Sequence, residues 1–416
     1  MNEQDTTRTR CRFALVSVAT AMVLVLPISA ALAQPLKEVK VAVIVPLSGP
    51  AARNGELHVK GAQAAVDDIN AAGGIKALGG AKLRLVTVDA GDSIEKSRAA
   101  AQRLMAEEPG LVGATGAFIS SFTLAITEVT ERAKLPFLTL SYSDQITDRG
   151  FKYVFQTSPT ASQQAADALP IILKLAQQAT GKKATSVGVV MDNTASPVSF
   201  IKDMRESGFA KEDLKLTVNE IYTPPLVDAT SVVQQLRNQR PNFTFMLTTN
   251  VPDSKLILEK MSEMRIGKGV VPVVTNGGSL GAPEMLKVMS KETLEGVMVV
   301  LANWAGKGQE GIAENFKKKF KEPWMTQDSI SSYGDMWIFK DAMEKSKSAD
   351  RVKVAEAIRA MDTTEGAAKY FPGGRIKFDD KGRRVGAETV ILQWRNGEPK
   401  PVYPASLATT TPLWQK

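Results

Sequence analysis

Small hydroxyl and amide residues gather where apolar runs end. Ser48 and Asn54 follow the run VKVAVIV (39–45), Ser120 and Ser121 follow Gly116, and Ser141, Tyr142 and Ser143 follow a run that stops at Leu140. A hydroxyl beside the start of a helix, where free backbone N–H groups and the positive dipole end meet, suits a carboxylate. Each serine taken alone is equally an ordinary cap or turn residue. Three such loops at the same edge of one sheet form a binding rim, and the chemistry they offer is the capture of an anion.

Residues that could break a bond are scarce. Gly277-Gly278-Ser279-Leu280-Gly281 has the G-x-S-x-G spacing of a nucleophile elbow and follows an apolar run, but the single histidine, His58, precedes it, whereas that hydrolase order needs histidine after serine. Gly113-Ala114-Thr115-Gly116 lacks the third glycine of a dinucleotide loop, and Phe118 would crowd a pyrophosphate. One histidine and one cysteine leave only carboxylates for a metal, and no D-x-D-x-D loop is present. The chain is expected to be no enzyme and to carry no cofactor and no metal.

The elements that must position the rim alternate. Strand-like runs at 39–45, 82–89, 135–140, 185–192, 243–249, 270–275 and 296–302 are separated by helix-like stretches, the pattern of βαβ units with parallel sheets. In VAVIVPLSGPAARNGE (41–56) the first run is apolar on both faces, as a central parallel strand is, and the loop at its carboxyl end is where open α/β sheets bind ligands. Ala62, Ala65, Val66 and Ile69 then recur at helical spacing, and Gly73-Gly74 ends that helix. Near the end, FPGGRIKFDDKGRRVGAETVILQWRNGEPKPVYP predicts antiparallel hairpins turned at Asp380-Lys381-Gly382 and Asn396-Gly397. Two βαβ sets of similar size predict two similar lobes.

Residues 1–33 combine Arg8, Arg10 and Arg12, an apolar run from Phe13 to Ile28 and Ala31-Leu32-Ala33, which is expected to be a signal peptide cut before Gln34. That run is broken at Pro27, and no later stretch reaches the roughly 18 apolar residues of a membrane span. The expected product is a soluble, exported chain that has lost its only cysteine, Cys11. Its net charge of +8 with the leader is modest for this length, and no basic block with interleaved aromatics marks a nucleic-acid surface.

PLSGPAARNGELHVKGAQAAVDDINAAGGI (46–75), VDAGDS (88–93), GATGAFISSFT (113–123), SYSDQITDRGFKYVFQTSPT (141–160) and GGRIKFDDKGRRVG (373–386) resemble the periplasmic leucine/isoleucine/valine-binding proteins that deliver ligands to ABC importers. The resemblance covers nearly the whole chain after the leader. It implies two Rossmann-like lobes joined by three hinge crossings, with ligand in the cleft and closure around it. Lobe I is then expected over 36–157 plus 300–385, lobe II over 158–299 plus 386–405, and a tail over 406–416. By position, Ser120 corresponds to the family's carboxylate-binding serine, assisted by Ser141, Tyr142 and Ser143 as a set, while Asn54 stands where several members have a pocket aromatic. The second lobe departs from the pattern. Ser196-Pro197 replaces a Tyr-Gly, an aromatic near Asn250 is absent, and the acid that usually pairs with the ligand ammonium falls at or beside Asn276-Gly277.

These departures bear on the ligand. A buried ammonium without an anion costs several kcal/mol, enough to abolish micromolar binding worth about 8 kcal/mol. Asp253, one helical start beyond Asn250, is the nearest replacement acid, although it also fits a helix cap. Without it, the cleft would suit an aromatic or keto acid or a neutral amide, with Trp304 and Tyr333 as stacking surfaces or as core. The expected function is capture of a small carboxylate-bearing solute, a branched-chain or related amino acid, in the periplasm for an ABC permease and ATPase. The chain is expected to act as a monomer, with a ligand sensor for a regulator as the other reading.

Overall fold

The computed structural model describes residues 36–414, so the expected signal peptide and Cys11 lie outside the described residues. The first apolar run folds as β1 (Glu38–Val45), its last five residues buried. Apolar on both faces, it sits inside a five-stranded parallel sheet with β2 (Lys82–Asp89), β3 (Leu111–Gly116), β4 (Phe137–Thr139) and β5 (Val154–Gln156), in the order β2-β1-β3-β4-β5. A second sheet begins with β6 (Ser186–Asp192), β7 (Lys215–Tyr222), β8 (Phe243–Leu247), β9 (Val273–Asn276) and β10 (Met298–Leu301), all parallel. A small ribbon, β11 (Asp362–Thr363) with β12 (Ile376–Lys377), precedes β13 (Val390–Arg395) and β14 (Glu398–Tyr403), which join the second sheet antiparallel in the order β14-β13-β10-β9-β8-β6-β7. The second sheet is therefore mixed, not purely parallel.

Two lobes follow, one on each sheet, each with helices on both faces and its own apolar clusters. The chain passes between the sheets three times: after β5, after β10 and between β12 and β13. The β13–β14 hairpin turns at Asn396-Gly397, where φ is +55° and +83° and an Asn-Gly pair is at ease. The other expected hairpin is reduced. Its turn at Asp380-Lys381-Gly382 closes only a bridge between Phe378 and Arg384.

In the first lobe the helix Ala52–Ala71 buries Ala62, Ala65, Val66 and Ile69, the face its spacing predicts. It lies directly on the helix Gln327–Ser346. A Cβ at Gly61 would come within 2.0 Å of the Ser329 carbonyl oxygen, so only glycine allows this approach. Gly113, read above as part of a loop, lies inside β3 with the ring of Phe339 against it. Residues 406–414 fold back on the second lobe, where the Leu413 N–H donates to Gln393 Oε1 at 2.9 Å and Trp414 packs edge-on to Phe243.

Candidate functional site

A cavity of about 650 Å³, its mouth included, opens between the two sheets at the carboxyl ends of their strands. The first lobe lines it with Asn54, Phe118, Ser120, Tyr142, Gln327 and Asp328, and the second with Ser196, Thr249, Asn250, Asn276, Gly277 and Ser279. Each strand end contributes for the same reason. Parallel strands stop at one edge, and the loops leaving that edge must all face the cleft.

Ser120 is the centre of the polar wall. The helix Ser120–Arg132 begins at it with no side-chain cap, so the positive helix end faces the loops after β3 and β4. Ser120 Oγ accepts the N–H groups of Tyr142 at 3.2 Å and Ser143 at 3.1 Å. With its acceptor side occupied by two amides, the hydroxyl has its own proton left to donate. The amides fix the hydroxyl in place, and that proton, at the positive end of an uncapped helix, is what the wall offers an anionic oxygen. Asp89, at the end of β2, fixes the neighbouring loop by accepting Leu47 N–H at 2.8 Å and Gly91 N–H at 2.7 Å. Burial alone would raise its pKa, but these backbone bonds outweigh burial and hold it below the usual carboxylate range.

On the second lobe, Asp192 ties the rim. Its Oδ2 accepts Thr249 N–H at 2.7 Å and the Thr249 hydroxyl at 2.8 Å. Burial still pushes this carboxyl upward despite those bonds. Asn276 spends its Nδ2 donors on Gln164 Oε1 at 2.8 Å and Val300 O at 3.2 Å. Among the described residues, no group of three metal-ligating side chains comes together.

The periplasmic binding protein model matches residues 38–399. The chain belongs to that family. It is 25% identical over 391 residues to the Leu/Ile/Val-binding protein homolog 8 of Brucella melitensis, a match covering 92% of this chain and 94% of that one. Two solved structures share the fold at lower identity. One is the branched-chain amino acid transporter substrate binding protein LivJ of Streptococcus pneumoniae in complex with isoleucine, at 18% identity and TM-score 0.75, covering 88% of this chain and 100% of the other. The other is an ABC transporter solute binding protein of R. palustris in complex with benzoate, at 16% identity and TM-score 0.73, covering 91% and 99%. This periplasmic binding protein has the type I fold and, like the relatives it matches, is a binding protein and not an enzyme.

Of the residues singled out in the sequence, the binding protein brings Asn54, Ser120, Tyr142, Ser196, Asn250, Asn276 and Gly277 to the cavity wall. Ser121, Ser141, Ser143, Asp253, Trp304 and Tyr333 are not on it. Ser121, one step along the helix from Ser120, is half-buried. Ser141 is fully buried, its hydroxyl 2.5 Å from Thr123 Oγ1, and it braces the loop. Ser143 contributes its N–H to Ser120 while its hydroxyl meets Ser199 Oγ at 3.0 Å. Asp253 is fully buried in the second lobe, where it takes the Leu226 N–H at 2.9 Å and Asn250 Nδ2 at 2.9 Å; it is not the helix cap expected of it, since Asn250 caps that helix and accepts the Asp253 N–H. Trp304 packs over Gly281 in the second-lobe core. Tyr333 donates to Asp68 Oδ2 at 2.7 Å and sits edge-on to Tyr370.

Asp328 escaped the sequence reading. It lies in the first turn of the helix Gln327–Ser346, whose N-cap Thr326 accepts from Ser329 N–H. Asn54 Nδ2 donates to its Oδ2 at 2.8 Å, and His58 Nδ1 stands 3.8 Å from Oδ1, beyond hydrogen-bond reach. Its neighbour Gln327 accepts both the Ala302 N–H at 2.8 Å and the Tyr142 hydroxyl at 2.5 Å, which locks this helix start to the second interlobe crossing. Burial, then the Asp328 charge, raises Tyr142 above the ordinary phenol range, so it stays protonated as a donor. The one signal available was the cap pattern Thr326-Gln327-Asp328-Ser329 ahead of a helix buried on every side.

Proposed function

We propose that this protein captures a small carboxylate-bearing solute between its lobes and delivers it to an ABC permease and ATPase for import. The observation that carries this is the meeting of the Ser120 hydroxyl with the Tyr142 and Ser143 amides at an uncapped helix start inside the interlobe cavity. The lobes are taken as roughly 36–157 plus 302–385 and 158–301 plus 386–405, the second crossing set after Leu301 because β10 pairs in the second sheet. Solute touching both walls favours the closed arrangement. The leader over 1–33 would bring the chain to the periplasm, which N-terminal sequencing of exported protein checks, with Gln34 expected first.

A branched-chain or related amino acid is the first ligand class to try, given what the Streptococcus relative holds. An amine-free acid is the second, favoured by Asn276 standing where the resemblance expects an acid and by the benzoate of the R. palustris relative. Titration calorimetry with carboxylates and their matched amides tests the reading. Carboxylates should bind and amides of the same shape should not. Ser120→Ala should weaken binding by about 10- to 100-fold, the worth of one hydrogen bond to a charged group. Equal binding of acid and amide, or an unchanged Ser120→Ala, removes the carboxylate from the site.

A further inference from the structure

We infer that Asp328 receives a cationic group of the ligand, so that the first lobe alone holds both charged ends of a zwitterionic amino acid and the second lobe closes over them with uncharged contacts. This rests on the carboxylate reading above.

Asp328 is the only charged side chain among the described residues that line the cavity. It is 1% exposed, so water reaches little of it. Its one hydrogen bond comes from the neutral amide of Asn54, and both ring nitrogens of His58 lack hydrogen-bond partners, so the imidazole makes no bond to the carboxylate. The helix start stabilises a negative charge at this position but does not cancel it. A cavity walled by one buried carboxylate and no cation repels a second free carboxylate unless the ligand brings its own positive charge. An α-amino acid does so, whereas a 2-oxo acid or benzoate does not.

The wall opposite supports the same division of labour. Ser196, Thr249, Asn250, Asn276 and Ser279 line it with hydroxyls and amides, and the two acids behind them, Asp192 and Asp253, are off the wall and bonded within their own lobe, Asp192 to Thr194 and Thr249 and Asp253 to Leu226 N–H and Asn250. The negative charge that the resemblance places on the second lobe at Asn276-Gly277 is thus supplied from the first, on the helix Gln327–Ser346. A ligand head group can then be fully recognised before the lobes close, and closure selects on the ligand's side chain.

The test pairs each of a panel of α-amino acids with its 2-oxo acid, plus benzoate, measured by titration calorimetry on the wild-type chain, Asp328→Asn and Asp328→Glu. Wild type should prefer the amine member of its best pair by at least 100-fold. Asp328→Asn, which keeps an oxygen for Asn54, should lose most of that preference by weakening the amine while leaving the oxo acid unchanged or tighter. Asp328→Glu should keep the sign of the preference, which a merely structural role would not require. A wild type that binds oxo acids or benzoate better than amines overturns the inference and leaves the carboxylate reading standing. Equal losses for both pair members in Asp328→Asn overturn it as well. If no carboxylate of any kind binds, the carboxylate reading fails and takes this inference with it.

Discussion

The carboxyl group of Asp335 lies fully buried between β3 and the helix Gln327–Ser346, where Thr115 Oγ1 donates to its Oδ2 at 2.5 Å and its Oδ1 has no partner. Burial dominates over that bond and over the nearby His58 and Arg384, and the group is pushed up to about 6. The folded carboxyl therefore keeps its proton up to about pH 6, whereas the unfolded one releases it near 4. Between those values the folded state binds more protons than the unfolded state, so this group's contribution to stability falls as pH rises. The penalty is absent below about pH 4 and complete above about pH 6, on the order of 3 kcal/mol at most. Asp335→Asn keeps an acceptor for Thr115 and removes the titration. Denaturant unfolding at pH 4, 5.5 and 7 should show the variant gaining on the wild type as pH rises, and parallel curves would show that ionisation at this position costs nothing. Polar residues of this kind also mark where sequence reading stopped. Ser120 and Asn54 stood out because small polar residues at the ends of apolar runs have few other uses. Asp328 and Asp335 sit on a helix with polar residues on all sides, and without a periodic apolar face nothing separated a buried acid from a surface one.

At the level of elements, strands such as β1, β6 and β8 were legible because they are buried on both faces, and the edge strand β2 because Leu83, Leu85, Val86 and Val88 keep its run apolar. β7 was passed over because Thr217, Asn219 and Glu220 interrupt its apolar residues, and β5 because three residues carry no period. Glycines inside β3 looked like a loop for a different reason, which is packing from a distant helix. A Cβ at Gly113 would fall 2.1 Å from the Phe339 ring, and at 2.6 Å from a second ring atom the overlap has no easy escape. Phe339 is fully buried and belongs to the core that joins the helix to the first sheet. Gly113→Ala should therefore destabilise the protein by about 1–3 kcal/mol through overpacking, although alanine is the better residue for an ordinary strand position. The double variant Gly113→Ala with Phe339→Leu should recover part of the loss. A thermal midpoint for Gly113→Ala equal to that of the wild type would mean the helix can step back from β3 freely.

For the whole molecule, the question is what holds the lobes together across the cavity. Arg53, at the start of the helix Ala52–Ala71, reaches Glu322 of its own lobe through Nη2 at 2.5 Å and Glu284 of the second lobe through Nε at 2.6 Å. The Nε–H does not point at the Glu284 carboxylate, so that contact is an ion pair without a formed hydrogen bond. Burial lowers the guanidinium's hold on its proton, but Glu322, Glu284 and Glu56 raise it by more, and the charge persists at every working pH. Lys60 also binds Glu322 at 2.5 Å, so Glu322 anchors the network and Glu284 is the part that must separate on opening. A pair this close to the surface contributes up to about 1 kcal/mol, which is about a fivefold bias toward the closed arrangement. Glu284→Gln should accordingly speed ligand release about fivefold at low salt with little change in the rate of capture, since the first lobe's groups are untouched. At 0.5 M salt, where the wild-type pair is screened, the two proteins should release ligand at similar rates. Stopped-flow displacement at both salt levels measures this directly, and equal release rates at low salt would mean that the lobes are held by the ligand and the uncharged contacts alone.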